Sequence, residues 1–376
     1  MAQLGVVISG CGDLTQRAIL PHLSQPDVRA KVRVVGLYDL DASRAQAAAD
    51  LFHVPHVAQT FAEVLEFPGA ELVIVASPMA AHARQAIAAL RAGKHLYLQK
   101  PMATTLADAE HVLAEAARSR AKVLVAPVQR LCPAYRRVKD AIEHDRIGTV
   151  FWALTANHQP LAPGLGGQPR AWLTGQEAGP VRDTTLYSLT LLTDLFGPVE
   201  RVACLSSRRQ GLHYGLVASD DLVASDDNVC LALEFPGGIL AVATGSYATG
   251  GRLVPAGFLG VYGSRGSIET TGVDLVTWLP TQIEIRSRNT DGRTDSRVIE
   301  CPLREVAHLD GPHAELPEAQ VHADIMHLIQ CIVDDRPPLP TLEQARHLVE
   351  VIDKAALAAH AGVRQCIESR FPWPEA

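Results

Sequence analysis

From Leu4 to Ala126, apolar runs of strand length alternate with segments of helical period. That alternation is the pattern of a parallel sheet covered by helices on both faces. It predicts strands at Leu4–Ser9, Val32–Tyr38, Leu72–Ala76, Leu96–Leu98 and Val123–Ala126, with helices at Ala42–Leu51, Ala80–Ala92 and Leu106–Ser119. After Pro127 the grammar changes. A helix at Tyr135–His144 precedes a strand at Val150–Ala156, a Pro/Gly-rich loop at Pro160–Pro169 and a helix at Asp183–Phe196. Six β-rich stretches follow, Val199–Ser206, Asn228–Phe235, Ile239–Tyr247, Phe258–Tyr262, Ser267–Thr270 and Gln282–Arg286, joined by turn signals such as Pro236-Gly237-Gly238. Antiparallel pairing is the economical reading of such short connections. Helical periodicity returns at Gln320–Val333 and Leu342–Ala361, separated by a proline-rich break. The expectation is a doubly wound α/β Rossmann domain over 1–127 and an α+β domain over 128–376 that ends in helices.

Composition narrows the picture. A length of 376 residues exceeds what one core usually serves, and 47% hydrophobic with 20% charged residues is ordinary for a globular chain. The net charge of −7 offers no basic field for a phosphate backbone, so nucleic acid is excluded as a partner. The first residues lack the head and apolar stretch of a signal peptide, and no segment is long enough to span a membrane, which places the protein in the cytoplasm. Seven cysteines stand singly without a C-x-x-C pair, so neither a disulfide framework nor a zinc knot is expected. His322, Asp324 and His327 lie on successive helical turns that do not bring all three to one face, and no metal is expected. A hexapeptide, Leu216–Asp221, recurs letter for letter as Leu222–Asp227; two copies make no repeat architecture, and it reads as a lengthened surface loop.

The first strand runs into Gly10-Cys11-Gly12-Asp13-Leu14-Thr15, a G-x-G-x-x-G/A start with Thr in the third place. The first Gly permits a tight turn and the second lets a pyrophosphate approach the backbone, while the following helix presents free N–H groups and the positive end of its dipole. Asp39 ends the second strand, where an adenosine ribose belongs. A carboxylate there accepts from ribose hydroxyls and repels a 2′-phosphate, which favours NAD; Arg44 nearby leaves NADP possible.

Further marks accumulate: Ala76-Ser77-Pro78 followed by His82, Ala92-Gly93-Lys94-His95 leading into Gln99-Lys100-Pro101, Arg146-Ile147-Gly148-Thr149-Val150, the segment Gly179–Gly197, and the turns Phe235–Gly238 and Tyr262–Gly266. Together these resemble the Gfo/Idh/MocA oxidoreductases, a family that includes glucose-fructose oxidoreductase and inositol dehydrogenase. The resemblance spans nearly the whole chain. It implies a substrate domain with a large open antiparallel sheet, often used to form dimers or tetramers, and a nicotinamide cofactor held by Gly10, Gly12, Asp13, Leu14, Asp39, Arg44, Ser77, Pro78, His82, Gln99 and Lys100. Three positions depart from the family pattern: Gln99 replaces a Glu, Pro180 stands in a Gly-rich place, and Tyr187 stands where many members have His. The Tyr variant resembles the glucose-fructose oxidoreductase and dihydrodiol dehydrogenase branches.

Lys100 follows a parallel strand at its C-terminal end, where ligands collect in open α/β sheets. It is the candidate acid/base for hydride transfer to or from a carbon bearing oxygen. Asp183 and Tyr187 are four residues apart and share one face of a helix, so a carboxylate and a phenol can serve one substrate; a helix cap and a core aromatic are their plain alternatives. His158 is a substrate-contact candidate, and Arg130 reads as structural more than substrate-binding. The expected activity is an NAD(P)-dependent dehydrogenase or reductase acting on a sugar, cyclitol or related polyol. Two alternatives stay open: a cofactor-bound metabolite sensor without catalysis, and a reductase of a dihydrodiol- or tetrapyrrole-like ring, which Trp152, Trp172 and Leu161 near the expected cleft leave open.

Overall fold

A computed structural model describes residues 3–158, 178–208, 226–247, 257–274, 279–288, 291–306 and 308–373. The chain divides into two compact units, Met1–Val128 with His308–Val349, and Gln129–Ala307 with Glu350–Ala376. The second domain had been expected to run unbroken to residue 376. Instead the segment 308–349 belongs with the first unit, because its apolar positions complete that core: Ala345 and Val349 pack in one cluster with Val7, Val73, Val75, Leu96 and Leu98.

The first unit is built on five parallel strands, β1 (Leu4–Ser9), β2 (Val32–Tyr38), β3 (Leu72–Val75), β4 (His95–Leu98) and β5 (Val123–Val125), in the order β2-β1-β3-β4-β5. These strands are almost wholly buried, since helices cover both faces, and they read as unbroken apolar runs for that reason. A π-helical turn, Thr15–Ile19, leads into α1 (Leu20–Leu23), followed by α2 (Pro26–Arg29). The covering helices are α3 (Ala42–Phe52), α4 (Phe61–Glu66), α5 (His82–Arg91) and α6 (Leu106–Ala116). Three of them start on side-chain caps: Asp41 accepts from the Ser43 and Arg44 amides, Thr60 from Glu63, and Thr105 from Asp108. The strand order reverses between β1 and β3, which makes the crevice beyond their C-terminal ends the ligand position of a doubly wound sheet.

In the second unit, α7 (Pro133–Glu143) is followed by β6 (Val150–His158), α8 (Pro180–Asp183), α9 (Thr185–Phe196), β7 (Arg201–Ser207), β8 (Asn228–Glu234), β9 (Leu240–Ser246), β10 (Phe258–Gly263), β11 (Gly266–Val273), β12 (Pro280–Arg288) and β13 (Thr294–Glu300). Next in the chain come α10 (Ala319–Val333) and α11 (Leu342–Ala361), of which α10 and the start of α11 belong to the first unit, and the two-residue β14 (Gln365–Cys366) closes the large sheet of the second, ordered β13-β12-β11-β10-β6-β9-β8-β7-β14. The sheet was expected to be antiparallel. It is mixed, because β6 pairs with β9 in parallel, Trp152 opposite Leu240 through His158 opposite Ser246. One face is buried under α9, with Leu231, Leu233, Ala241 and Ala243 turned toward Leu189 and Leu192 among the core residues, and Phe196 edge-on to Phe235 at 5.7 Å. The opposite face carries exposed Trp152, Leu205, Leu240 and the half-buried Val242. Among the described residues no helix is long and apolar enough to cross a membrane.

Candidate active site

The glycine loop sits at the switch point. Gly10 has φ +93°, and a Cβ on it would lie 2.5 Å from the Ala76 carbonyl oxygen and 2.6 Å from the Ser77 nitrogen. Only glycine lets the loop after β1 press against the loop after β3. Gly12 is the reverse case: a Cβ there would meet nothing within 4 Å, so open space stands over its backbone, as a pyrophosphate requires. Thr15, in the third fingerprint place, is fully buried and donates its hydroxyl to the Gly10 carbonyl at 2.5 Å, which explains a Thr where Gly or Ala is usual. Asp13 pairs with Arg17 at 3.4 Å one turn on, and Leu14 precedes the π-helical turn half-buried.

Asp39 is fixed by three donors. The Cys11 amide reaches its Oδ2 at 2.7 Å, and the Asp41 amide and Arg44 Nη1 reach Oδ1 at 2.9 and 3.3 Å. Each carboxylate oxygen has two lone pairs, so Oδ2 keeps acceptor capacity for a ribose hydroxyl. Arg44 is 48% exposed and shared with Asp41 at 3.4 Å, so it is held beside Asp39 by two carboxylates. The thiol of Cys11, buried and next to Asp39, is pushed up to about 12 and stays protonated. These features fit a dinucleotide: Gly12 offers the pyrophosphate room, and Asp39 an oriented acceptor.

The second and third loops are tied together by His82. It opens α5, fully buried, with Nδ1 2.7 Å from the Pro101 carbonyl and Nε2 2.8 Å from the Ser77 carbonyl. Burial lowers its pKa first and Lys100 lowers it further, against the pull of the two carbonyls. The side chain of Ser77 donates to Gln85 Oε1 at 2.8 Å, and Ser9 does the same at 3.0 Å, so one buried amide joins the ends of β1 and β3. Pro78 starts the short turn that leads into His82. Gln99, the departure from the family Glu, is buried and donates to the Tyr97 hydroxyl at 3.1 Å. Lys100 follows it half-buried beyond β4, joined to Pro101 by a cis peptide.

In the second unit, Asp183 ends α8 and Tyr187 lies in the first turn of α9, both half-buried. The two short helices meet at Thr184, whose φ −91° and ψ −43° keep the chain near helical, so the four-residue spacing still spans about one turn. Asp183 is not a helix N-cap. Its Oδ2 accepts from the hydroxyl of Tyr247 at 2.9 Å, and Tyr247 is itself buried at the end of β9. Sequence reasoning missed Tyr247, which lies 64 residues from its partner with no spacing motif to link them. His158, the last residue of β6, places Nε2 3.0 Å from Thr244 Oγ1, while its Nδ1 is buried with no hydrogen-bond partner. Arg130 pairs with buried Asp194 at 2.5 Å, a structural contact. Trp152 stands six positions before His158 at the other end of β6, and the unbroken pairing with β9 puts both on the sheet face that carries Leu240, opposite the face on which Gly245 meets Thr185 and Pro180, so neither stands beside Asp183. Leu161, Trp172, the Pro160–Pro169 loop and the hexapeptide pair up to residue 225 lie outside the described residues.

Comparison with known proteins fits this geometry. The oxidoreductase family with an NAD-binding Rossmann fold, Gfo/Idh/MocA, matches residues 4–126, and the family's C-terminal domain matches residues 135–269. The chain is 25% identical to D-apiose dehydrogenase of Paraburkholderia graminis over 335 residues, covering 88% of this chain and 81% of that protein. It is 21% identical to trans-1,2-dihydrobenzene-1,2-diol dehydrogenase of Sus scrofa, over 92% of this chain and 91% of the other. Among solved structures, levoglucosan dehydrogenase in complex with NADH and L-sorbose superposes with a TM-score of 0.80 at 19% identity, over 98% of this chain and all of that one. The chain therefore belongs to the Gfo/Idh/MocA family and is an NAD-dependent oxidoreductase.

Proposed function

We propose that the protein interconverts a hydroxyl and a carbonyl on a sugar, cyclitol or related polyol, with Lys100 as the proton-transfer group. The observation that carries this is the position of Lys100, half-buried at the carboxyl end of β4 in the NAD-binding sheet, next to the buried Gln99 and the His82 tie. Bound NAD supplies the hydride acceptor. Lys100 takes the hydroxyl proton in oxidation and returns it in reduction. Asp183, oriented by the Tyr247 hydroxyl, accepts from substrate hydroxyls, and the Tyr187 phenol adds a donor one helical turn on. The relatives' names support the substrate class, since an apiose dehydrogenase and an inositol 2-dehydrogenase stand among them.

The exposed apolar face of the large sheet supports a homodimer or homotetramer, because it would leave Trp152 paired with Leu240, and Leu205 on the same face, in water. Seven free cysteines agree with a reducing, cytoplasmic setting.

The test is a panel of sugars, cyclitols and diols with NAD, followed by nicotinamide absorbance, and then the Lys100→Met variant on whichever substrate responds. Turnover should fall by roughly a hundred- to ten-thousand-fold with NADH affinity nearly unchanged. Full activity in Lys100→Met rejects the assignment, and silence across the panel favours the metabolite-sensor alternative.

A further inference from the structure

Three histidines distant in the chain meet inside the first unit. His22 lies on α1, His313 on the turn Gly311–Ala314 and His322 on α10, each about 1% exposed. The rings of His22 and His313 are within 9° of parallel with centroids 5.1 Å apart, and their Nδ1 atoms face each other at 2.8 Å. His322 stacks over both, at centroid distances of 4.7 and 4.1 Å.

Counting protons exposes a conflict. His22 Nε2 lies 3.2 Å from the Pro317 carbonyl, which only accepts, so the ring proton sits on Nε2 and Nδ1 keeps its lone pair. His313 Nε2 lies 3.2 Å from both oxygens of Asp27, and the same reasoning leaves its Nδ1 bare. With one proton on each ring, the two Nδ1 atoms aim lone pairs at each other across 2.8 Å. With both rings neutral that arrangement repels, so a positive species, either a proton shared between the two Nδ1 atoms or a metal ion, has to lie there. His322 adds two more nitrogens, both buried and neither with a hydrogen-bond partner; the His308 backbone nearby forms no bond of ordinary geometry. Buried polar groups without partners call for an explanation, and an unseen ion is one.

We propose that His22, His313 and His322 form a binding site for one divalent first-row transition-metal ion, zinc being the simplest occupant. Imidazole nitrogens suit such ions, and neutral rings are the ligating form. Burial holds His22 and His322 neutral, at about 4 and about 2. Asp27, on the far nitrogen of His313, is the carboxylate that fixes the tautomer of a metal-bound histidine. One nitrogen from each ring lies within 4.8 Å of the others. Zinc–nitrogen bonds of about 2.0–2.1 Å put tetrahedral ligands roughly 3.3 Å apart, so loading spreads the Nδ1 atoms of His22 and His313 from 2.8 Å by about half an ångström and turns His322 from face-on to edge-on. That turn breaks no hydrogen bond, since His322 makes none. The fourth position is left to water. The ion would pin α1, which continues the helical turns after the glycine loop, to the 311–333 segment of the same unit.

The test uses the full-length chain with any affinity tag removed and metal stripped by a chelator. Zinc chloride is titrated calorimetrically at pH 7.5, and cobalt chloride is followed by visible absorption. The expected result is one equivalent per chain, a cobalt spectrum of nitrogen-ligated four-coordinate type, and a higher Tm with zinc. Asp27→Asn should weaken binding about 10- to 100-fold, as loss of an orienting carboxylate does, and His322→Asn and His313→Asn should weaken it more. His322→Asn forfeits no hydrogen bond, so its fold is checked by an unchanged NADH Kd, and His22→Asn is the second variant should it fail that check. No stoichiometric zinc binding by the wild-type chain overturns the proposal and leaves a shared proton between His22 and His313. Binding retained in the folded His variants also overturns it, by assigning the ion to surface groups.

Discussion

Removing the charge of Asp39 should move the cofactor preference toward NADP. Asp39→Asn keeps the shape and deletes one negative charge that is 91% shielded from water, its side chain being 9% exposed. At about 5 Å and an effective dielectric of about 20, two unit charges interact with about 3 kcal/mol, and a 2′-phosphate carries more than one charge. Arg44, 3.3 Å from the same carboxylate, is present with or without the Asp39 charge, so its pull on the phosphate cancels in the comparison, and only solvent screening at the open ribose site reduces the repulsion. A net change of about 2–3 kcal/mol remains, which is about a 30- to 150-fold shift in the ratio of NADP to NAD affinity. The substitution also has a structural cost. Cys11 and Asp41 donate to different oxygens of Asp39, and an amide can accept through only one, so one backbone N–H loses its partner at a cost of about 1–3 kcal/mol. That loss weakens both cofactors alike and cancels in the ratio. Dissociation constants for NADH and NADPH by nicotinamide fluorescence decide the matter, with Arg44→Ala as the opposing variant that should weaken NADPH alone. A ratio that moves less than about threefold in Asp39→Asn would refute the electrostatic reasoning, because even a fully solvated pair at this separation leaves a measurable effect.

Other outcomes follow from the same geometry. Tyr247→Phe removes the donor that orients Asp183 and should lower kcat/KM about tenfold or more while leaving NADH affinity unchanged, as loss of a hydrogen bond to a charged group would; a steady-state comparison measures it. Of seven cysteines only Cys230 and Cys366 are exposed, so a native thiol titration should find two fast groups in a monomer. Cys230 lies on the apolar face opposite Leu205, so an oligomer packed through that face should leave one, with light scattering as the independent check. For the metal-free protein, the lowered pKa values of His22, His82, His95, His158, His308 and His322 mean stability that is full above about 6.5 and is lost as pH falls toward each folded value. His322 alone accounts for about 2 kcal/mol by pH 5, and Asp324, whose raised pKa acts in the opposite sense, is one carboxyl against six imidazoles. Melting curves at pH 7 and 5 should show the drop, and equal Tm values would contradict it.

The strands of the first unit were legible to the residue in two cases, β1 and β2, because largely buried parallel strands are mostly apolar runs, and these two end just before Gly10 and Asp39. β13 was missed for the opposite reason. Its residues Thr294–Glu300 are nearly all exposed and carry three charges, as an edge strand with both faces wet does, and no alternation marks it. The helices α2 and α4 span four and six residues, too few to establish a period. The parallel pairing of β6 with β9 left no trace either, since alternation along a strand says which face is buried and nothing about the direction of its neighbour.

The site divides along a similar line. Gly10, Gly12, Thr15 and Asp39 were legible because one loop and one strand end make the cradle, and each residue type is demanded by local backbone geometry. The partners that aim the chemistry were not. Tyr247 reaches Asp183 across 64 residues, Gln85 joins Ser9 to Ser77, and His22 meets His313 across 291 residues, pairings that exist only once the sheets have formed. Gln99 shows how the two kinds of information meet. As a sequence departure from the family Glu it had no explanation, yet in the fold its amide is a buried donor to the Tyr97 hydroxyl, with no added charge beside Lys100. A carboxylate there could only accept from Tyr97 and would place a second charge in a buried site, so the neutral residue satisfies the tyrosine without a desolvation cost.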